Sequence, residues 1–186
     1  MKKIALPELA YAMVMAVGCA VSYLVTSRLL GPFIDRGDSL LGGTWAAVAT
    51  AFVFRETRDG SLAAGVSRLI ATCVSFALCS IYIALLPVNA EGTAILIGAG
   101  AIVMQLVRRP EDIITTTITS IVLTGVAAID PERAFEQPML RLFDTVTGIG
   151  IGVLLRWLLS CVMARAGIVP ASKEEIISSV ERKISV

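Results

Sequence analysis

The chemistry available to this chain sits in a few charged and hydroxylic residues inside long apolar runs. Asp144 stands three residues after Arg141, a spacing that lets the two meet on one helix face. Charge in hydrocarbon is expensive and is kept for a partner or a transport path. The two side chains therefore either neutralise each other, or Asp144 takes up and releases a proton while Arg141 attracts an anion. Arg68 introduces a second apolar run. A guanidinium stays charged, and its fork matches the two oxygens of a carboxylate. Arg68 either holds such an anion or snorkels to the membrane surface. The small, weakly polar residues from Gly60 to Ser67 favour helix over loop and so place Arg68 deeper. Thr116, Ser120 and Thr124 recur every fourth residue and share a face, where hydroxyls either bond a neighbouring helix or line a hydrated path. Gln105 is an isolated polar group near the end of its run.

Other chemistries are poorly served. The sequence contains no histidine, which removes imidazole metal ligands and the common Ser-His and Cys-His pairs. Neither an enzyme, nor a metal site, nor a cofactor is expected. Cys19, Cys73, Cys79 and Cys161 lie in separate apolar runs without CxxC spacing and read as small buried hydrophobes. Gly148-Ile149-Gly150-Ile151-Gly152 lies mid-run with no strand before it, so it is not a nucleotide loop. No basic tract suggests nucleic acid, and the formal net charge is only +1.

The elements that position these groups are set by hydropathy. Of 186 residues, 56% are hydrophobic and 17% charged, and mean hydropathy is +0.81. Soluble domains carry about 25% charge, and apolar runs of about 18 residues or more are what a bilayer requires. The pattern predicts an all-α integral membrane protein with six transmembrane helices: Pro7 to Leu30, Leu40 to Phe54, Gly60 to Leu86, Thr93 to Val107, Asp112 to Ala128 and Pro138 to Ala164. Breakers at Gly31-Pro32, Asp59-Gly60, Pro87, Pro110, Pro131 and Pro138 separate them. Lys2, Lys3, Arg55, Arg58, Arg108, Arg109, Arg165 and Lys173 fall on one side; Arg28, Arg36 and Arg133 fall on the other. The positive-inside rule makes the first side cytoplasmic, with both termini there. The first run continues past Cys19 and is interrupted early by Glu8, so it reads as a retained helix rather than a signal peptide.

Arg68-Leu69-Ile70-Ala71-Thr72 and Arg141-Leu142-Phe143-Asp144-Thr145 occupy matching places in the third and sixth helices. Those helices enter from opposite sides, the pattern of an inverted repeat of three plus three helices. Gly148 and Gly152 form a GxxxG packing face that continues from Asp144, and Ser39, Gly43, Ala47 and Ala51 form a similar ladder. Trp45 and Trp157 fall near span ends, as interfacial anchors do. Residues 1–169 then form the membrane domain and 170–186 a cytoplasmic tail. Within the tail, Ser172-Lys173-Glu174-Glu175 fits a capping box, and Ile176, Ile177, Val180 and Ile184 make one stripe of a short amphipathic helix.

The run Gly60...Arg68-x-x-x-Thr72, with Arg141-Leu142-Phe143-Asp144-Thr145-x-x-Gly148 opening the last helix, resembles the fusaric-acid-resistance-like or aromatic acid exporter family. That family is related to plant aluminium-activated malate channels. The resemblance runs from about Gly42 to Leu159. It implies six-helix membrane units that export aromatic carboxylates or conduct organic anions. By that resemblance Arg68, Arg141 and Asp144 handle the anion; Thr72 and the helix-five hydroxyls of Thr116 and Ser120 are counted with them as candidate substrate contacts. The chain has one such unit and no sizeable soluble domain, which points to a homo-oligomer in the bacterial inner membrane. Three readings follow: an organic-anion exporter coupled to protons, a passive anion channel, and a membrane scaffold acting through its tail.

Overall fold

The computed structural model describes residues 6–30, 39–55 and 57–165. The tail from 170 onward, with its expected amphipathic helix, lies outside the described residues. Six helices account for nearly all of the rest: α1 (Leu6–Leu24), α2 (Ser39–Val53), α3 (Arg58–Leu85), α4 (Ala90–Leu106), α5 (Ile113–Ile129) and α6 (Gln137–Arg165). Their ends follow local chemistry. Thr57 caps α3 by accepting from the amide of Gly60, and Asn89 caps α4 by accepting from Gly92. Pro110 and Pro131 open single 3₁₀ turns that lead into α5 and towards α6. Pro138 sits in the first turn of α6, where a missing N–H leaves no gap in the helix ladder. Arg108 takes a left-handed φ of 59° and ends α4 sharply. At the tip between α3 and α4, the hydroxyl of Tyr82 donates to the carbonyl of Pro87 and accepts from the amide of Asn89. Gly92 leaves room for that phenol, since a Cβ there would fall 2.1 Å from it.

The chain turns its apolar side chains outward. Leu9, Met13, Val17, Ile95, Ile102, Ile114, Leu154 and Val162 are exposed, whereas Ser22, Thr50, Ser61, Thr72, Ser75, Thr116, Thr119 and Thr145 are buried. A water-soluble bundle would reverse this. In a bilayer it is the expected arrangement, because lipid accepts apolar surface and the hydroxyls bond between helices. Four helical stretches are long and apolar enough to cross a membrane unaided: Glu8–Leu30, Arg58–Leu85, Pro110–Ile129 and Gln137–Arg165. The other two, α2 with 15 residues and α4 with 17, are apolar but shorter. The protein is thus an all-α, multi-pass membrane protein.

Packing has an internal symmetry. Helix α2 lies along α6, as α5 lies along α3. Helix α1 packs on α2 and α6, as α4 packs on α5 and α3; α3 and α6 meet each other. Exchanging the first three helices with the last three therefore maps the contacts onto themselves. The buried stripes agree: with Arg68 placed on Arg141, Gly65 falls on Pro138, Thr72 on Thr145, Ser75 on Gly148 and Cys79 on Gly152, and all are buried. This is the packing that an inverted repeat of three plus three helices requires.

Three local differences from the sequence reading are informative. The six residues that follow α1, Val25–Leu30, continue the first span as a π-helix. There Ser27 bonds back to the carbonyl of Tyr23, and Gly43 of α2 presses on that same carbonyl. The packing face of α2 is also rotated from the expected ladder. Gly42, Ala46, Ala49, Thr50 and Val53 are buried; of the expected ladder Gly43 is buried, Ser39 and Ala47 are half-buried, and Ala51 faces out. Trp45 is not an interfacial anchor: it is buried between helices. Trp157 is half exposed at the basic end, with the guanidinium of Arg58 5.7 Å above its ring.

Candidate anion site between the helices

Arg68 lies ten residues into α3, about 15 Å along its axis. Snorkelling is ruled out, because the residue is only 4% exposed. It belongs to the buried stripe Ser61, Gly65, Arg68, Thr72, Ser75 and Cys79, whose spacing of three and four faces α5 and α6. Its guanidinium carbon stands 4.5 Å from the ring centre of Phe52 and 5.7 Å from that of Trp45, both on α2. Among the described residues no carboxylate lies within ion-pairing distance of it, and its Nε makes no hydrogen bond. Cation–π attraction is worth about 2 kcal/mol when desolvated. The penalty for burying a lone charge is several kcal/mol even after relaxation. Two rings alone leave this cation undercompensated.

Trp45 connects Arg68 to the second charged centre. Its indole N–H donates to Thr145 Oγ1 at 3.0 Å. The next residue, Asp144, pairs with Arg141 at 2.9 Å. Arg141 is 1% exposed and Asp144 8%, so the ion pair is inside the protein and one helical step from the Trp45 contact. Gly42 of α2 makes room for the carboxylate, since a Cβ there would come 3.0 Å from Asp144 Oδ1. Below it Gly148 lets α6 touch α2: a Cβ on Gly148 would fall 2.2 Å from the carbonyl oxygen of Ala46. Thr50 then donates to the carbonyl of Gly148 at 2.9 Å and meets Ser22 of α1 at 2.5 Å. Gly152 lies close to Thr50 as well, since a Cβ there would come 3.3 Å from the Thr50 carbonyl oxygen. Arg68, Trp45, Thr145, Asp144 and Arg141 thus form one connected series across α3, α2 and α6.

The hydroxyls named from sequence divide into two groups. Thr72 is buried and bonds back to the carbonyl of Arg68, so its oxygen is committed to its own helix. Thr116 and Ser120 of α5 are buried; the hydroxyl of Thr116 takes no hydrogen-bond partner, while that of Ser120 meets the Cys79 thiol of α3. They face α3, where Ser75 donates to the carbonyl of Thr116 at 3.1 Å. The Thr116 hydroxyl in the α3–α5 seam thus remains available to a guest, opposite the α3 stripe that carries Arg68. No group of three or more metal-ligating side chains occurs among the described residues.

Two buried charges escaped the sequence reading. Asp112, at the start of α5, is 4% exposed and accepts from Ser67 of α3. Arg109 stands 3.6 Å from its Oδ2. By sequence Asp112 is the first residue of the fifth span, beside Pro110 and Glu111, and is given no role. Arg156 is 6% exposed in α6, with Nε donating to the carbonyl of Arg55 at 2.7 Å and NH1 to Ser160. It holds the end of α2 against α6. An arginine within Gly152-Val153-Leu154-Leu155-Arg156-Trp157 was itself a signal, because it interrupts an apolar run.

A family model described as fusaric acid resistance protein-like matches residues 22–155. Neither the curated proteins nor the solved structures contain a match. The matched segment runs from the end of α1 to the middle of α6 and includes both arginine centres and Trp45. With its apolar exterior and polar interior, the chain belongs to the fusaric acid resistance protein-like family, a family of membrane transporters and exporters.

Proposed function

We propose that the protein exports small organic anions, aromatic carboxylic acids above all, across the bacterial inner membrane. The observation that carries this reading is the buried guanidinium of Arg68, faced by two aromatic rings and by no carboxylate among the described residues. A carboxylate supplies the countercharge that this position needs, and a guanidinium binds it through two parallel hydrogen bonds. An aryl group on the same molecule gains from packing against Trp45 and Phe52. Thr116 offers a hydroxyl for a ring substituent or for the water that accompanies the anion, with Ser120 one turn on.

Arg141 and Asp144 supply the coupling element in this account. Protonating Asp144 removes its charge and frees Arg141 to take an anion; deprotonation restores the pair and displaces it. Basic residues at the starts of α3 and α5 and the end of α6 support a cytoplasmic location for that end, which places Arg68 nearer the cytoplasm than Arg141. The test is uptake of labelled hydroxybenzoate into proteoliposomes with and without a pH gradient. Flux that rises with the gradient is the expected result. Gradient-independent flux would replace the carrier with a passive channel. No flux across a panel of organic anions would contradict the anion reading and favour a scaffold.

A further inference from the structure

We propose that Arg68 and Asp112 are a second arginine–aspartate couple, the counterpart at the basic end of Arg141–Asp144, and that it closes as the other opens. The inference rests on the transport reading but not on any particular substrate. Its basis is the symmetry of the packing. Gly148 of α6 lies against the carbonyl of Ala46 of α2. In the corresponding place Ser75 of α3 bonds the carbonyl of Thr116 of α5. One turn back from those two carbonyls stand Gly42 and Asp112. Gly42 abuts Asp144, which pairs with Arg141; Asp112 accepts from Ser67, the residue before Arg68.

Each junction therefore holds one arginine on the central helix and one buried carboxylate. At the Arg141 end the carboxylate comes from α6 itself; at the basic end it comes from α5. The two ends differ in state. Arg141 and Asp144 are joined at 2.9 Å. Arg68 leans instead on Phe52 and Trp45, while Asp112 Oδ2 takes no hydrogen bond and has the partly exposed Arg109 at 3.6 Å. Arg68 shares its helix face with Ser75, which already touches α5 one turn from Asp112. Ser67, the residue before Arg68, already bonds that carboxylate, so Asp112 stands beside the backbone that carries Arg68. One couple closed and its counterpart open is the asymmetry that alternating exposure of a central site produces; Arg141–Asp144 pairs within α6, whereas Arg68–Asp112 when closed joins α3 to α5.

The decisive experiment is zero-length cross-linking of the full chain in proteoliposomes. Arg68→Lys supplies an amine, a membrane-permeant carbodiimide activates carboxylates, and mass spectrometry reads an amide between positions 68 and 112. The expected result is a detectable amide that increases several-fold when Asp144→Asn weakens the opposite couple. Absence of the amide in both backgrounds, or equal yield in the two, would overturn the proposal. Should Arg68→Lys not fold, the exchanged variant Arg68→Glu with Asp112→Lys carries the same groups in reverse and must give the same response. Hydroxybenzoate added during the reaction separates this proposal from the substrate reading. If the yield still responds to Asp144→Asn but not to hydroxybenzoate, the couple stands and the aromatic substrate is contradicted.

Discussion

A buried cation without a carboxylate partner is the unusual feature at the scale of single residues, and its consequences are specific. A hydrogen bond to a charged group contributes about 1.5–3 kcal/mol, and each 1.4 kcal/mol is about tenfold in affinity. Arg68→Ala is therefore expected to weaken hydroxybenzoate binding by about 10- to 150-fold. Arg68→Lys, which keeps charge but loses the fork, should fall between the two. Equilibrium binding to purified protein in detergent checks both. The charge of Arg68 was legible in the sequence, and its choice between surface and interior hung on whether Gly60 to Ser67 is helical. It is, as part of α3. Asp112 was not legible in the same way. A carboxylate at the first position of a span, after Pro-Glu, reads as a solvated helix end, and only the approach of α3 from 45 residues away encloses it.

Among the elements, α2 and α6 form the tightest contact, and glycine decides it. A Cβ on Gly148 would collide with the backbone of Ala46, which no flexible side chain can relieve, whereas one on Gly150 meets nothing within 4 Å. Gly148→Ala should lower stability by about 1–3 kcal/mol through overpacking. Gly150→Ala should be neutral or slightly stabilising, because alanine is the better helix former. Thermal unfolding of the two variants in the same detergent distinguishes them. The GxxxG in α6 was readable from spacing alone. Its partner face on α2 was not, because glycines and alanines occupy several faces of that helix and the sequence does not say which one meets α6. Trp45 was misjudged for a related reason: position near a span end suggests an anchor, but its N–H finds Thr145 100 residues away.

For the whole molecule, six spans and their breakers follow from hydropathy, and the inverted arrangement of the two halves follows from matched arginine segments read against span direction. What remained hidden was the registry between halves, since it depends on which backbone carbonyls meet which hydroxyls. Sidedness has its own test. Glu111 at the basic end and Glu132 in the α5–α6 turn are both exposed. In a background lacking the four native cysteines, Glu132→Cys should react with an impermeant thiol reagent on intact cells. Glu111→Cys should react only after permeabilisation. The reverse pattern would invert the protein and make Arg141, not Arg68, the cation nearer the cytoplasm.

The central claim is that Arg68 and Trp45 together hold the anion, and Trp45 is its own reporter. In a Trp157→Phe variant the remaining indole is the one 5.7 Å from the Arg68 guanidinium. Titration with hydroxybenzoate should quench its fluorescence saturably, and Arg68→Ala should abolish that saturation at the same concentrations while leaving the unliganded protein folded. Saturable quenching of unchanged midpoint in Arg68→Ala would place the anion elsewhere and contradict the account.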